Sequence, residues 1–511
     1  MVHPAIIEYL GYTPPEKLDS GFLGYLCALA EVSKVAPTVS SAIVQELIDQ
    51  RTNIKLIASE NFSSLSTQFA MANLLTDKYA EGIPYQRFYE GCGNVDSIEA
   101  YACEQAKTLF NAEHAYVQPH SGADANLVAY WAILTAKIEV PTLEELGIRD
   151  PGKVTQEQWN QIRERMGNQR LLGMDYYSGG HLTHGYRRNV SGKMFDAYSY
   201  TVERETGLLD YAEVEKLAKE IKPLILLAGY SAYPRKINFA VMREIADKVG
   251  AVLMVDMAHF AGLVAGKVFQ GDFDPVAHAH IVTSTTHKTL RGPRGGLVLC
   301  KKEFAEVVDK GCPLVLGGPL PHVLSAKAVA FTEANTSEFK SYARQIVRNA
   351  QVLAESLKSE GLRVLTDGTD NHIVLLDVQT SHGLTGRQAA GALRSCGITL
   401  NFNSIPFDPN GPLITSGLRL GTPAVTTLGM DIEEMKEIAN IIKNVLEGTK
   451  PQMIKDGPNA GKPSKKEFVL DPNVQKTQRA RVRDLLKRYP LYPNIDLELL
   501  KKYFLISGNE V

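Results

Sequence analysis

Residues 281–296 read Ile-Val-Thr-Ser-Thr-Thr-His-Lys-Thr-Leu-Arg-Gly-Pro-Arg-Gly-Gly, and the fold turns on how that stretch is read. Its β-branched run over 281–286 predicts a strand, and Gly292-Pro293 ends any regular element. The strand delivers Lys288 into a loop, and loops at the carboxyl ends of α/β strands are where such folds bind ligands. Upstream, residues 251–256 (Ala-Val-Leu-Met-Val-Asp) form an apolar run ending in an acid, the pattern of a strand buried on both faces. Asp256 precedes Lys288 by 32 residues, about the length of one βαβ unit. The two runs predict an α/β chain built on a mostly parallel sheet flanked by helices.

A lysine in that position is a candidate Schiff-base lysine for the aldehyde of pyridoxal phosphate. A buried carboxylate such as Asp256 would keep the ring nitrogen of that cofactor protonated, which its electron-sink chemistry needs. Each residue alone has a plainer reading: Lys288 as a solvated surface residue, Asp256 as a helix cap. Asp256-Met257-Ala258-His259 followed by Thr286-His287-Lys288 is more specific than either piece.

Five segments then carry a resemblance. Leu-Ile-Ala-Ser-Glu-Asn at 56–61, Tyr-Ala-Glu-Gly at 79–82 and Gly-Gly-His-Leu-Thr-His-Gly at 179–185 are three of them. Thr-His-Lys-Thr at 286–289 and Ser-Gly-Leu-Arg-Leu-Gly-Thr-Pro at 416–423 are the others. In this order they resemble the serine hydroxymethyltransferase family over about residues 40–450. The resemblance implies a fold type I pyridoxal-phosphate-dependent transferase. It implies reversible conversion of serine and tetrahydrofolate to glycine and 5,10-methylenetetrahydrofolate, through an external aldimine formed when serine displaces Lys288. It also implies a homodimer or tetramer with shared active sites.

Residue roles follow from the same resemblance. Lys288, Glu81, His287 and Thr285 are the implied catalytic set. Ser121, Gly122 and Ala123 would hold the cofactor phosphate, joined from the partner by Tyr79 and Gly318. His181 would stack on the ring, with Ser231, Asp256 and His259 completing the ring contacts. Ser59, Tyr89, Arg419, Gly180, Leu182 and Asn403 would face the amino acid or the folate. From the residues alone several alternatives stay open: Ser59 as a helix cap, residues 118–126 as a plain helix start, Arg419 in a structural ion pair. An arginine between Leu418 and Leu420 does need an anion, for which a bidentate carboxylate is the best match. The pattern departs from the family at Tyr85-Gln86, Phe88, Ala123, Tyr176, Gly411 and Leu413, which removes a tyrosine hydroxyl and a serine hydroxyl near the site.

The remaining chain sets bounds. At 511 residues it is too long for one compact core, and 44% hydrophobic with 22% charged residues is ordinary for a globular enzyme. A net charge of −2 supplies no overall pull toward nucleic acid or membrane. The six cysteines have no paired spacing, so reduced thiols, no metal site and a cytoplasmic setting are expected. No apolar run is long enough to span a bilayer, and no signal or transit peptide is expected.

Three domains are expected: an arm and helix at the dimer interface (1–55), a large cofactor-binding domain (56–330), and a small C-terminal α/β domain with a basic extension (331–511). Residues 139–169 look like an insertion carrying two short helices, begun by capping boxes at Thr142 and Thr155. Residues 332–360 read as one long helix, and 457–466, rich in Pro, Gly and Lys, as a mobile loop. Residues 475–489 read as an amphipathic helix with Val482, Leu485 and Leu486 inward.

Overall fold

The computed structural model of the chain describes residues 2–506. Its centre is a seven-stranded sheet: β1 (His114–Tyr116), β2 (Arg170–Met174), β3 (Asp196–Tyr200), β4 (Ile225–Gly229), β5 (Val252–Asp256), β6 (Ile281–Thr285) and β7 (Gly296–Cys300). The spatial order is β1-β7-β6-β5-β4-β2-β3. Neighbours run parallel except at β7, which is antiparallel to both β6 and β1. The expected α/β class, with a mostly parallel sheet flanked by helices, is what the chain forms.

The apolar runs are continuous because both faces are covered. Successive side chains of a strand point to opposite faces. Leu226, Ala228, Leu253, Val255 and Val282 therefore enter one core, with the helices Gly93–Phe110, Phe239–Val249 and Pro321–Ala334. Ile225, Leu227, Val252, Met254 and Ile281 enter the other, with the helix Gly122–Leu134. Both β5 and β6 are buried at every position, so their carboxyl ends are held rigidly.

A second sheet lies further along the chain: β8 (Arg363–Val364), β9 (Ile373–Asp377), β10 (Asn401–Asn403) and β11 (Gly417–Gly421), ordered β8-β9-β11-β10 and antiparallel throughout. Its core also takes in Ile54 and Leu56, because Ile54–Lys55 pairs in parallel with Ile398–Thr399. Gly421 donates its N–H to the Leu56 carbonyl at 2.8 Å. Residues 55–60 are thereby laid beside Arg419. The N-terminal helices Pro4–Tyr12, Ser20–Val35 and Pro37–Thr52 share a core with the last helix, Leu497–Phe504.

Three local expectations need correction. Thr142 caps nothing: it lies inside the helix Val140–Glu145, buried, with its hydroxyl donating to the Ile138 carbonyl at 2.7 Å. The helix from Gly122 runs on through a π turn at Thr135–Glu139, so no new start is needed there. Thr155 does form its capping box with Gln158. Residues 332–360 are two helices, broken after Ala334 where Thr336 caps Ser337–Ser359. Residues 463–466 are no loop but the start of the strand Pro463–Leu470, paired with Thr449–Met453. Asp19 caps the 16-residue helix Ser20–Val35. The helix Pro472–Arg488 buries Val482, Leu485 and Leu486 as its periodicity requires.

Candidate active site

The carboxyl ends of β5 and β6 open into a cavity of about 690 Å³. Ser59, Ser121, Gly122, Ala123, Gly180, His181, Leu182, Ser231, Asp256, His259, Thr285, His287, Lys288, Asn403 and Arg419 line it. Residues scattered over 360 positions of sequence thus converge on one space. Ser59 caps no helix; Ser64 does that for Leu65–Phe69, and Ser59 faces the cavity.

Asp256 ends β5 and is anchored on both oxygens. Oδ1 accepts the Ala258 N–H at 3.0 Å, and Oδ2 accepts Asn126 Nδ2 at 2.9 Å and lies 3.1 Å from His184 Nε2. Burial alone would raise its pKa. The hydrogen bond and charge of His184, with His181 and Asn126, outweigh that and hold the carboxyl well below its usual range. Asn126 is itself oriented by Thr283, whose hydroxyl donates to its Oδ1 at 2.5 Å, and it donates to Thr183 Oγ1 at 2.8 Å. Thr183 in turn fixes His181, whose Nδ1 is 2.7 Å from its hydroxyl. Burial pushes His181 down to about 4, so it meets a ligand as a neutral ring.

Lys288 sits three residues past β6 in a folded-back loop. Gly292 donates to the Thr286 carbonyl at 2.7 Å, and Thr286 to the Gly295 carbonyl at 3.1 Å. Burial pushes the amine down to about 8, Asp256 opposing and Arg419 and Arg294 assisting. Its neighbour His287 is driven to about 3 by burial, then by Arg294 and Lys288. Thr285 donates to the Ala258 carbonyl at 3.3 Å, tying the lysine strand to the residues after Asp256.

Arg419 occupies the centre of β11, opposite Leu375 and Asn401. Its Nη1 donates to the Ser231 carbonyl at 2.5 Å and its Nε to Asn401 Oδ1 at 3.0 Å. Among the described residues no carboxylate pairs with it, so the structural ion pair is excluded. Burial lowers its pKa to about 10. A guanidinium with five donors and two neutral acceptors is built for an incoming anion. Ser231 also points its hydroxyl at the Gly180 carbonyl, 3.2 Å away.

Ser121 caps the helix Gly122–Leu134 from an extended conformation, and that helix start faces the cavity. A Cβ at Gly122 would come within 2.6 Å of Thr285 Cγ2, so glycine lets the helix approach the lysine strand. The Ser121 hydroxyl donates to Asp124 Oδ2 at 2.9 Å, a carboxylate in the same first turn.

Four of the expected site residues line no part of this cavity. Tyr89 donates to Glu81 Oε2 at 3.3 Å and packs edge-on against Tyr79 at 5.4 Å, with Gly318 beside Glu81 and Tyr79. Tyr79 is 63% exposed. They form a second cluster on the outside of the same subunit. Residues given no role beforehand also matter here: Asn126, His184, Arg294, Asn401, and His372, which stacks on His259 at 5.7 Å with both ring nitrogens unpaired. His184 stood inside a quoted motif and Asn126 at the end of the helix start at 118–126; His372 carried no signal.

A lysine and a buried acid at the carboxyl edge of this sheet, with a small-residue helix start between them, define the class: a fold type I pyridoxal-phosphate-dependent enzyme. The residues suit that cofactor: Lys288, pushed down to about 8, offers an amine to its aldehyde, Asp256 an anion to its ring nitrogen, and the helix start at Ser121–Gly122 lines the same cavity. The serine hydroxymethyltransferase family model matches residues 32–164 and 159–442, two segments that meet inside 139–169. A serine hydroxymethyltransferase of Treponema pallidum (strain Nichols) is 61% identical over 504 residues, 99% of this chain and 87% of that relative. One from Salinispora tropica is 58% identical over 93% of this chain and 98% of its own length. One from Cutibacterium acnes is 54% identical over 97% and 100%. The chain belongs to the serine hydroxymethyltransferase family, with pyridoxal phosphate as cofactor and tetrahydrofolate as cosubstrate.

Proposed function

We propose that the cavity carries out the family's reaction, moving the hydroxymethyl group of serine to tetrahydrofolate and leaving glycine, with each residue in the role its position supports. The observation that carries this is the unpaired Arg419 facing Lys288 and Asp256 across one cavity. When bound, pyridoxal phosphate supplies an electron-poor ring that withdraws electrons from the substrate's Cα. Asp256, held ionised, keeps a proton on the ring nitrogen. His181, His259 and Ser231 line the same cavity and would contact that ring. Ser121, Gly122 and Ala123 present a helix start to the phosphate, where backbone N–H groups and the helix dipole favour an anion. Arg419 grips the serine carboxylate, assisted by Ser59. Gly180 and Leu182 wall the amino-acid side, and Asn403 the folate side. Lys288 would hold the cofactor through its aldehyde, flanked by Thr285 and His287.

The proton at the serine hydroxyl falls to Glu81, which this subunit lends outward together with Tyr79, Tyr89 and Gly318. Leu74, Tyr79, Tyr85 and Phe88 stand 63–88% exposed around it, an apolar surface that a second copy of the chain would cover. The functional unit is therefore at least a homodimer with shared sites. All six cysteines are free, which supports a reducing, cytoplasmic setting. No helix among the described residues is long and apolar enough to cross a membrane.

The test is glycine formation from serine by purified protein, with and without tetrahydrofolate, beside the absorbance of bound cofactor. Folate-dependent glycine is expected. Turnover equal in both arms would replace the reading with a folate-independent aldolase.

A further inference from the structure

Lys327 lies in the helix Pro321–Ala334 and is 1% exposed, with no carboxylate among the described residues bonded to it. Its Nζ donates to three backbone carbonyls instead: Val117 at 2.5 Å, Pro119 at 2.9 Å and Gly296 at 2.9 Å. Burial pushes its pKa down to about 7, with Glu99 opposing, but three carbonyl acceptors call for three N–H donors, which only the ammonium form supplies. The three carbonyls belong to the two segments that frame the cavity. Val117 and Pro119 lead from β1 into Ser121, the start of the anion-facing helix. Gly296 opens β7, directly after the loop that carries Lys288. The segments already touch, since Gly296 donates its N–H to the Pro119 carbonyl at 2.8 Å. A Cβ on Gly295 would come within 2.5 Å of Lys327 Cε, so the backbone has closed around this side chain.

The proposed function leaves this buried cation idle. Burying an unpaired ammonium is costly unless its donors are satisfied, and an apolar residue of similar length would fill the space more cheaply. We propose that Lys327 is a positioning residue: its ammonium sets the spacing between the phosphate-binding start Ser121–Gly122–Ala123 and the loop that presents Lys288. It rests on the reading of 121–123 as the phosphate cradle. Lys327 acts through the two backbones and touches neither substrate nor cofactor. A ligand tethered at both ends, by phosphate and by aldehyde, demands that this spacing be held to a fraction of an ångström.

The test compares binding of pyridoxal phosphate and of pyridoxal, which lacks the phosphate, to apo protein by absorbance titration. Wild-type protein is expected to favour the phosphorylated form strongly. Lys327→Met, checked for folding by circular dichroism, is expected to lose at least tenfold of that preference, because only the phosphorylated ligand feels both ends. A purely structural role would lower the melting temperature and leave the preference intact, and that result overturns the proposal. If Lys327→Met does not fold, Gly295→Ala decides, since its methyl displaces the ammonium while keeping it; an unchanged preference there overturns the proposal equally. Should wild-type protein itself show no preference for the phosphate, the cradle reading fails first, and the two failures are told apart.

Discussion

At the residue scale, the site sets Asp256, kept ionised by its partners, beside Lys288, His181 and His287, which burial pushes toward their neutral forms. Lys288 titrates near 8 in place of 10.5. Below that value the neutral amine, the form that reacts with an aldehyde, grows about tenfold per pH unit. Cofactor uptake by apo protein should therefore accelerate up to about pH 8 and level off above it. Stopped-flow absorbance shows whether the break is there; a rate still climbing at pH 9.5 contradicts the depressed amine. The sign carries over to stability. Between about 8 and 10.5 the unfolded chain keeps a proton the folded one has released, so apo protein gains stability as pH rises in that window. Lys288→Ala should abolish turnover while cofactor still binds through phosphate and ring contacts. Arg419→Ala should weaken serine binding by about 3 kcal/mol, the cost of leaving a carboxylate unpaired in a buried site. A serine KM within twofold of wild type would refute that role.

At the scale of elements, the helix Gly122–Leu134 offers its start to the phosphate in the proposed site, yet Asp124 in its first turn competes with that anion. An acid there supports the helix through its dipole and also repels a phosphate. Its Oδ2 additionally takes the Ser121 hydroxyl, 2.9 Å away. Asp124→Asn should bind pyridoxal phosphate about fivefold tighter, the equivalent of about 1 kcal/mol, with the melting temperature slightly lower. Calorimetric titration reads the first and a thermal melt the second. Weaker binding would mean that Asp124 is holding Ser121 in its working position.

For the whole molecule, one subunit holds Lys288, Asp256 and Arg419 in a cavity and carries Glu81, Tyr79 and Tyr89 on its outside. Two copies related by a twofold axis would give each cavity the other's cluster. A random equal mixture of Lys288→Ala and Glu81→Ala chains, each nearly inactive alone, should recover about a quarter of wild-type activity, since about half of the dimers are mixed and each of those has one intact site. One site of the mixed dimer then carries both lesions and the other neither. No recovery from verified mixed dimers would make each subunit self-contained.

Legibility in the sequence followed the range of the forces involved. The strand Val252–Asp256 and the run into Lys288 were readable because burial on both faces leaves an unbroken apolar signature, and glycine with proline marks its end. The motifs around Ser59, His181 and Arg419 identified the family and most of the cavity lining. Boundaries governed by single contacts were not readable: Thr142 looks like a cap until the helix before it continues through a π turn. The strand at Pro463–Leu470 was hidden for a like reason, since its pairing partner, not its Lys-rich composition, makes it a strand. Only the tertiary structure could show that Arg419 has no acid, that His184 and Asn126 converge on Asp256, and that Lys327 is caged by three carbonyls. Each is a meeting of groups tens to hundreds of residues apart, and backbone carbonyls carry no side-chain identity for a sequence to display.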